Sequence, residues 1–208
     1  MYAPLLEITI LSSFDLNDAR QAKAAYSGVD GLQRAYIGQE IEDPSQGYCA
    51  LQWESLRARD AFLRSPLYEA HARHLTVQRG PFLVTLSEDD HAACNAIFTA
   101  PVQKFGFLQA STPLGREKAH GLLALMRSGR QERRAKKEIM GELDAAVVDN
   151  ADCRVIMDGW ESVEKHHAYA GRAENKSAMA DIIAALEWAS SKHAREVVAG
   201  GGDEESPS

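Results

Sequence analysis

The 208-residue sequence predicts an α+β fold: two ferredoxin-like βαββαβ repeats forming an intramolecular dimeric α/β barrel. Three observations carry that expectation. Strand-like alternation and helical spacing run through the same cycle twice. The tripeptide Trp53-Glu54-Ser55 returns as Trp160-Glu161-Ser162 at the same point of each cycle. A four-stranded sheet with helices on one face also needs its other face covered, which a second copy of the unit supplies within the same chain.

The first cycle opens with Leu5–Leu11, where Leu6, Ile8 and Ile10 share one face of a strand and Glu7 and Thr9 the other. Asp15 stands where a helix N-cap belongs. Leu16, Ala19, Ala22 and Tyr26 follow at helical spacing, and Gly28 offers a stop. A second strand is expected over Leu32–Glu42, a turn at Asp43-Pro44-Ser45-Gln46-Gly47, and a third strand over Tyr48–Trp53. The helix that follows is interrupted at Ser65-Pro66, since serine caps a new helix and proline suits its first position. Phe82–Leu86 closes the cycle as a fourth strand.

Residues 89–103, after the acidic Ser87-Glu88-Asp89-Asp90, read as a connector between a first repeat over 1–88 and a second over 104–199. In the second, Phe105, Phe107 and Gln109 alternate, and Ala119, Leu122, Leu123 and Met126 share a helical face. Leu143–Val148 and Arg154–Trp160 supply strands. The Gly200–Ser208 tail has the composition of disorder.

Composition narrows the partners. A formal charge of -7 disfavours nucleic acid and anionic membranes, which reward excess Lys and Arg. The N-terminal apolar run lacks a basic leader and reads as a strand. The three cysteines form no CxxC pair and read as reduced thiols of a cytoplasmic protein. No nucleotide fingerprint, P-loop, nucleophile elbow or HExxH occurs, so no cofactor is expected. The basic run Arg127–Lys137 reads as a solvated helix end, with a collar for anionic substrates as the alternative.

The stretches Gly31-Leu32-Gln33-Arg34, Gln52-Trp53-Glu54-Ser55 and Phe62-Leu63-Arg64-Ser65-Pro66-Leu67-Tyr68-Glu69-Ala70-His71 together resemble the antibiotic biosynthesis monooxygenase family. The second repeat resembles it by element order and Trp160-Glu161-Ser162, with Ala173-Glu174-Asn175-Lys176-Ser177 where Ser-Pro would stand. The resemblance implies the dimeric α/β barrel, a cavity between sheet and helices, and metal- and flavin-free oxidation of aromatic polyketides in some members. The tandem arrangement is similar to fungal members of secondary metabolism. Haem-degrading members use an Asn on the first strand, with a Trp and a His in the helix after the third. Here Glu7, Phe62 and a His71 displaced by one residue depart from that set.

His71 is the candidate catalytic residue. Leu67, Tyr68, His71, Ala72 and Leu75 share one face after Pro66, so an imidazole on an apolar face is offered as a general base. It would abstract a phenolic or activated C–H proton, and the resulting anion would reduce dioxygen or close a ring. Tyr36, Trp53, Phe62, Tyr68 and His74 are the expected substrate-binding set, with Trp53 also expected as barrel-wall packing. His71 and His74 lack a third ligand nearby, so no metal is expected. His166 and His167 point about 100° apart on their helix and are expected at the surface. The expected function is a small-molecule enzyme of secondary metabolism. A non-catalytic ligand carrier and a haem-binding protein are the alternatives, and a homodimer of such pseudo-dimers is an open further partner.

Overall fold

The computed structural model describes residues 3–136, 139–172, 176, 180 and 183–197. The chain is α+β and divides into two compact units. One runs to Pro81 and includes Glu196 and Val197; the other is Phe82–Arg195. Among the described residues no helix is long and apolar enough to cross a membrane.

In the first unit β1 (Leu5–Ser12), α1 (Leu16–Ala25), β2 (Leu32–Glu40), β3 (Gly47–Trp53), α2 (Leu56–Leu63) and α3 (Pro66–Ala72) lead into β4 (Thr76–Thr85). Strand β3 lies antiparallel between β1 and β2, with Ala50 opposite both Ile8 and Tyr36, and is buried along its whole length. Both faces of β1 are therefore used: Leu6 and Ile8 are fully buried on one, and Glu7 is buried on the other. Strand β4 starts at Thr76, earlier than the apolar run at Phe82, because backbone pairing extends a strand through residues whose side chains stay exposed.

Helix α1 begins where the sequence places it. The Asp15 carboxylate accepts from the backbone N–H of Asn17 and Asp18, both at 2.9 Å. The end of the described chain is tied to this unit: the Lys23 ammonium donates to Glu196 at 2.8 Å and to the Val197 carbonyl at 2.7 Å, and Val197 N–H donates to Ile37 O at 2.8 Å.

The second unit continues from β4 through α4 (Glu88–Phe98), β5 (Val102–Gln109), α5 (Pro113–Ala135), β6 (Gly141–Val147), β7 (Asn150–Trp160), α6 (Val163–Ala170) and β8 (Trp188–Glu196). Strand β5 pairs antiparallel with β7 and with β8, and β6 adds to β7. The 89–103 connector is largely helical. The acidic cluster at its start is a helix N-terminus: Ser87 and Asp90 cap each other's backbone N–H as a capping box, and the acidic first turn complements the helix dipole. Helix α4 lies close on the sheet because Gly141 and Gly159 face each other across β6 and β7. A Cβ on Gly141 would sit 2.8 Å from Ala93 O, and one on Gly159 would sit 3.0 Å from Ile97 Cα.

The repeated Trp-Glu-Ser has a physical reason in both units. Trp53 and Trp160 are buried at the ends of their strands. The serine two residues later caps the next helix: Ser55 Oγ accepts from Ala58 N–H at 3.2 Å, and Ser162 Oγ accepts from Lys165 N–H at 3.3 Å. Ser55→Ala and Ser162→Ala are each expected to lower unfolding free energy in urea by about 1 kcal/mol, with Asp at either position retaining most of it.

Ala119 and Leu123 of α5 are buried as the helical spacing predicts, while the side chains of Leu122 and Met126 lie outside the described residues. In the basic run, the side chains of Arg127, Arg130 and Arg134 and the whole of Lys137 also lie outside them. Arg133 corrects the solvated reading for its own position: it is buried and donates to Glu142 at 2.6 Å. Residues 173–175 and 177, and the 200–208 tail, fall outside the described residues.

Candidate functional site

The first unit holds a partly open cavity of about 300 Å³ between the Glu7, Thr9 and Leu11 face of β1 and the helices α2 and α3. That size is at the lower end of small-molecule pockets. Phe62, Leu63 and Leu75 give it apolar walls, and Tyr26, Cys49 and His71 form a polar end. A larger surface groove, about 720 Å³, follows α2 beside Gly28, Glu54 and Arg57, and His71 is not among its walls.

His71 sits in the short helix α3 begun by Pro66 and is only 7% exposed. Its Nε2 is hydrogen-bonded with the Tyr26 hydroxyl, the two rings being 4.2 Å apart. Burial lowers the imidazole pKa to about 4, with the Ala22 backbone opposing and His74 adding to that shift. The Nδ1 atom lies near Ala22 without a hydrogen bond of sound geometry. With Tyr26 as donor to Nε2, the neutral ring carries its proton on Nδ1. Burial also raises Tyr26 well above the ordinary phenol range, and Cys49 to about 12; the two side chains lie 3.6 Å apart. At neutral pH the polar end is thus an uncharged Cys49–Tyr26–His71 row.

A charged pair borders it. Arg59 on α2 donates to Glu7 at 2.7 Å through Nε and at 3.3 Å through Nη2, and Trp53 Nε1 donates to the same carboxylate at 3.2 Å. Burial works against the Arg59 charge, but Glu7's hydrogen bond and negative charge outweigh it and hold the guanidinium pKa above its usual value.

The residues named from sequence separate here. Phe62 and Tyr68 line the cavity with His71. Phe62 is the hub of an aromatic group, 5.3 Å from Trp53 and 5.8 Å from Tyr68. Trp53 backs that group as packing and as a donor to Glu7. Tyr36 is fully buried on β2 and is not a wall of this cavity. His74 turns away to Asp18, its Nδ1 2.9 Å from that carboxylate. Tyr26, Cys49 and the Glu7–Arg59 pair were not picked out as site residues. The available signal was chemical: a phenol at a core helical position and a carboxylate in a strand each require a partner when buried.

The sequence matches no family model and no curated protein. Solved structures do match over nearly the full chain. A monooxygenase-like protein from Listeria innocua is 9% identical, covers 94% of each chain and has a TM-score of 0.56. An uncharacterised ferredoxin-fold protein related to antibiotic biosynthesis monooxygenases, from Listeria monocytogenes, is 10% identical over 94% of this chain and 95% of its own, with a TM-score of 0.56. An anthrone oxidase-like protein is 14% identical over 96% of this chain and 94% of its own, with a TM-score of 0.59.

The expectation of no cofactor needs correction. A haem-degrading enzyme from Listeria monocytogenes shares the fold, at 14% identity over 92% of this chain and 98% of its own, with a TM-score of 0.53. A putative chlorite dismutase shares it too, at 10% identity and a TM-score of 0.61 over 95% of this chain and 96% of its own. The fold is therefore not confined to cofactor-free proteins. The cavity as arranged does not fit haem: Nε2 of His71 is taken by Tyr26, and Arg59 on its wall is already paired with Glu7.

Proposed function

We propose, on the premise that this chain has the fold of ferredoxin-fold proteins related to antibiotic biosynthesis monooxygenases, that its first unit works as a small-molecule enzyme. The substrate is an aromatic or polyketide-like molecule with an acidic C–H or phenolic O–H, and the reaction begins when His71 takes that proton. The observation that carries this reading is a buried neutral imidazole, hydrogen-bonded to Tyr26, on the wall of a partly open, largely apolar cavity.

An imidazole with a pKa near 4 is unprotonated at neutral pH, but it is a weak base and its Nε2 is reached through the Tyr26 hydroxyl. Transfer becomes favourable when the anion stays beside the new imidazolium, because their attraction is strong where water is excluded. The Tyr26 hydroxyl can pass its own proton to Nε2 while receiving the substrate's, so that positive charge forms on His71 and negative charge on the substrate. Phe62 and Tyr68 give an aromatic ring its contact surface. Two outcomes start from that anion. It can reduce dioxygen, converting a CH2 to C=O with the second oxygen atom leaving as water, or it can close or isomerise a ring.

The anthrone oxidase-like match makes anthrone the first probe. With anthrone or a related phenol as substrate, His71→Gln is expected to lower kcat/KM by about 10²–10⁴-fold with an unchanged circular dichroism spectrum. Tyr26→Phe should cost less than His71→Gln. Wild-type turnover by His71→Gln would remove His71 from the chemistry. Tight probe binding by the wild-type protein without turnover would identify a ligand carrier instead.

A further inference from the structure

Among the described residues, the second unit carries a cluster of three histidines with no counterpart in the first. Glu7 stands two residues along β1 from Leu5, the partner of Trp53; Lys104 stands two residues along β5 from Val102, the partner of Trp160. Arg59 and His166 likewise each fall four residues after the capping serine. Where the first unit has Glu7 and Arg59, the second has Lys104 and His166. Lys104 is paired across the sheet with Asp158 at 2.5 Å, and on its other side lies opposite His193 of β8. The same corner of each unit is built for different chemistry.

His166, His167 and His193 converge there, with one nitrogen from each lying within 4.8 Å of the others. His193 Nε2 and His166 Nδ1 are 2.7 Å apart. The neighbouring histidines of α6 do diverge on their helix, yet they flank the His193 ring, at 4.8 Å and 5.4 Å between centroids. The expectation that both are simple surface residues therefore gives way. His193 is buried, His166 partly buried and His167 exposed, so the cluster is fixed at its base and open to solvent at its rim.

We propose that His166, His167 and His193 form a three-imidazole site for a divalent first-row transition metal ion of the zinc class, with its fourth position open to water. Three neutral imidazoles with one open position are a recurrent zinc arrangement. Tetrahedral ligation with metal–nitrogen bonds of about 2.0–2.1 Å places the nitrogens roughly 3.3 Å apart. The close pair would open slightly and the exposed His167 would swing in, a rotamer change on a surface side chain. The Lys104 charge, which would oppose a cation, is held by Asp158. The site is separate from the His71 cavity and does not depend on the activity proposed there.

The test is isothermal titration of the chelator-stripped full-length protein with Zn²⁺. One equivalent is expected to bind, and His167→Ala, at an exposed position that leaves folding intact, should weaken binding more than the ~10–100-fold typical of outer-shell partners. His74→Ala should leave the affinity unchanged. Co²⁺ should give tetrahedral visible bands that His166→Ala abolishes. Absence of stoichiometric Zn²⁺ binding, or a His167→Ala protein that binds as tightly as wild type, would overturn the site and leave a hydrogen-bonded histidine pair.

Discussion

Lowering the pH from 7 to 4 is expected to cost the protein about 3 kcal/mol of stability through His71 alone, the equivalent of a pKa moved from 6.5 to about 4. The unfolded chain takes up a proton near pH 6.5 that the folded imidazole refuses until about pH 4. Between those values the unfolded state binds more protons, so stability falls as pH falls. Above 6.5 the contribution is fully present. His166, lowered to about 3, acts with the same sign. Urea unfolding at a series of pH values should show the loss, and His71→Gln should flatten the slope by about one proton, because an amide can still meet the Tyr26 hydroxyl but does not titrate. An unchanged slope would mean that the imidazole is hydrated in the folded state.

Arg59→Leu is the second large effect. The guanidinium and the Glu7 carboxylate are each about 11% exposed, and removing the cation leaves a buried carboxylate that still accepts from the Trp53 indole N–H. Breaking a buried pair from one side costs about 3–5 kcal/mol. Removing both members is far milder, so Glu7→Leu/Arg59→Leu should recover most of the loss. The urea midpoint at constant m-value measures both. Equal destabilisation by the single and double variants would show that packing of the Arg59 stem, rather than its charge, matters there.

The fold was readable where local chemistry and long-range packing agree. Asp15, Ser55 and Ser162 are caps in sequence and caps in space, because a cap needs only its own next turn. The Ser65-Pro66 break between α2 and α3 was readable from Pro66 in the first turn of α3, but Ser65 does not cap that helix: its Oγ donates to Phe62 O at 2.7 Å. Helix α4 lies in the stretch read from sequence only as a connector, because its resting place is the Gly141–Gly159 notch far along the chain.

The candidate sites divide in the same way. His71 could be placed on an apolar face by counting along one helix, and Phe62 and Tyr68 share its cavity. Its partner Tyr26 could not, because α1 and α3 are brought together only by the sheet beneath them. His74, three residues on, faces Asp18 instead. The histidine cluster is a stronger case: His166 and His167 come from a helix, and His193 comes from a strand joined to it through a long intervening segment.

The sequence by itself determined the α+β class, the duplication, the caps and the apolar faces, since these follow from period and from residues within one turn of each other. Tertiary structure alone decided which polar groups meet. Burial then set their protonation, because desolvation depends on what surrounds a side chain in space rather than along the chain.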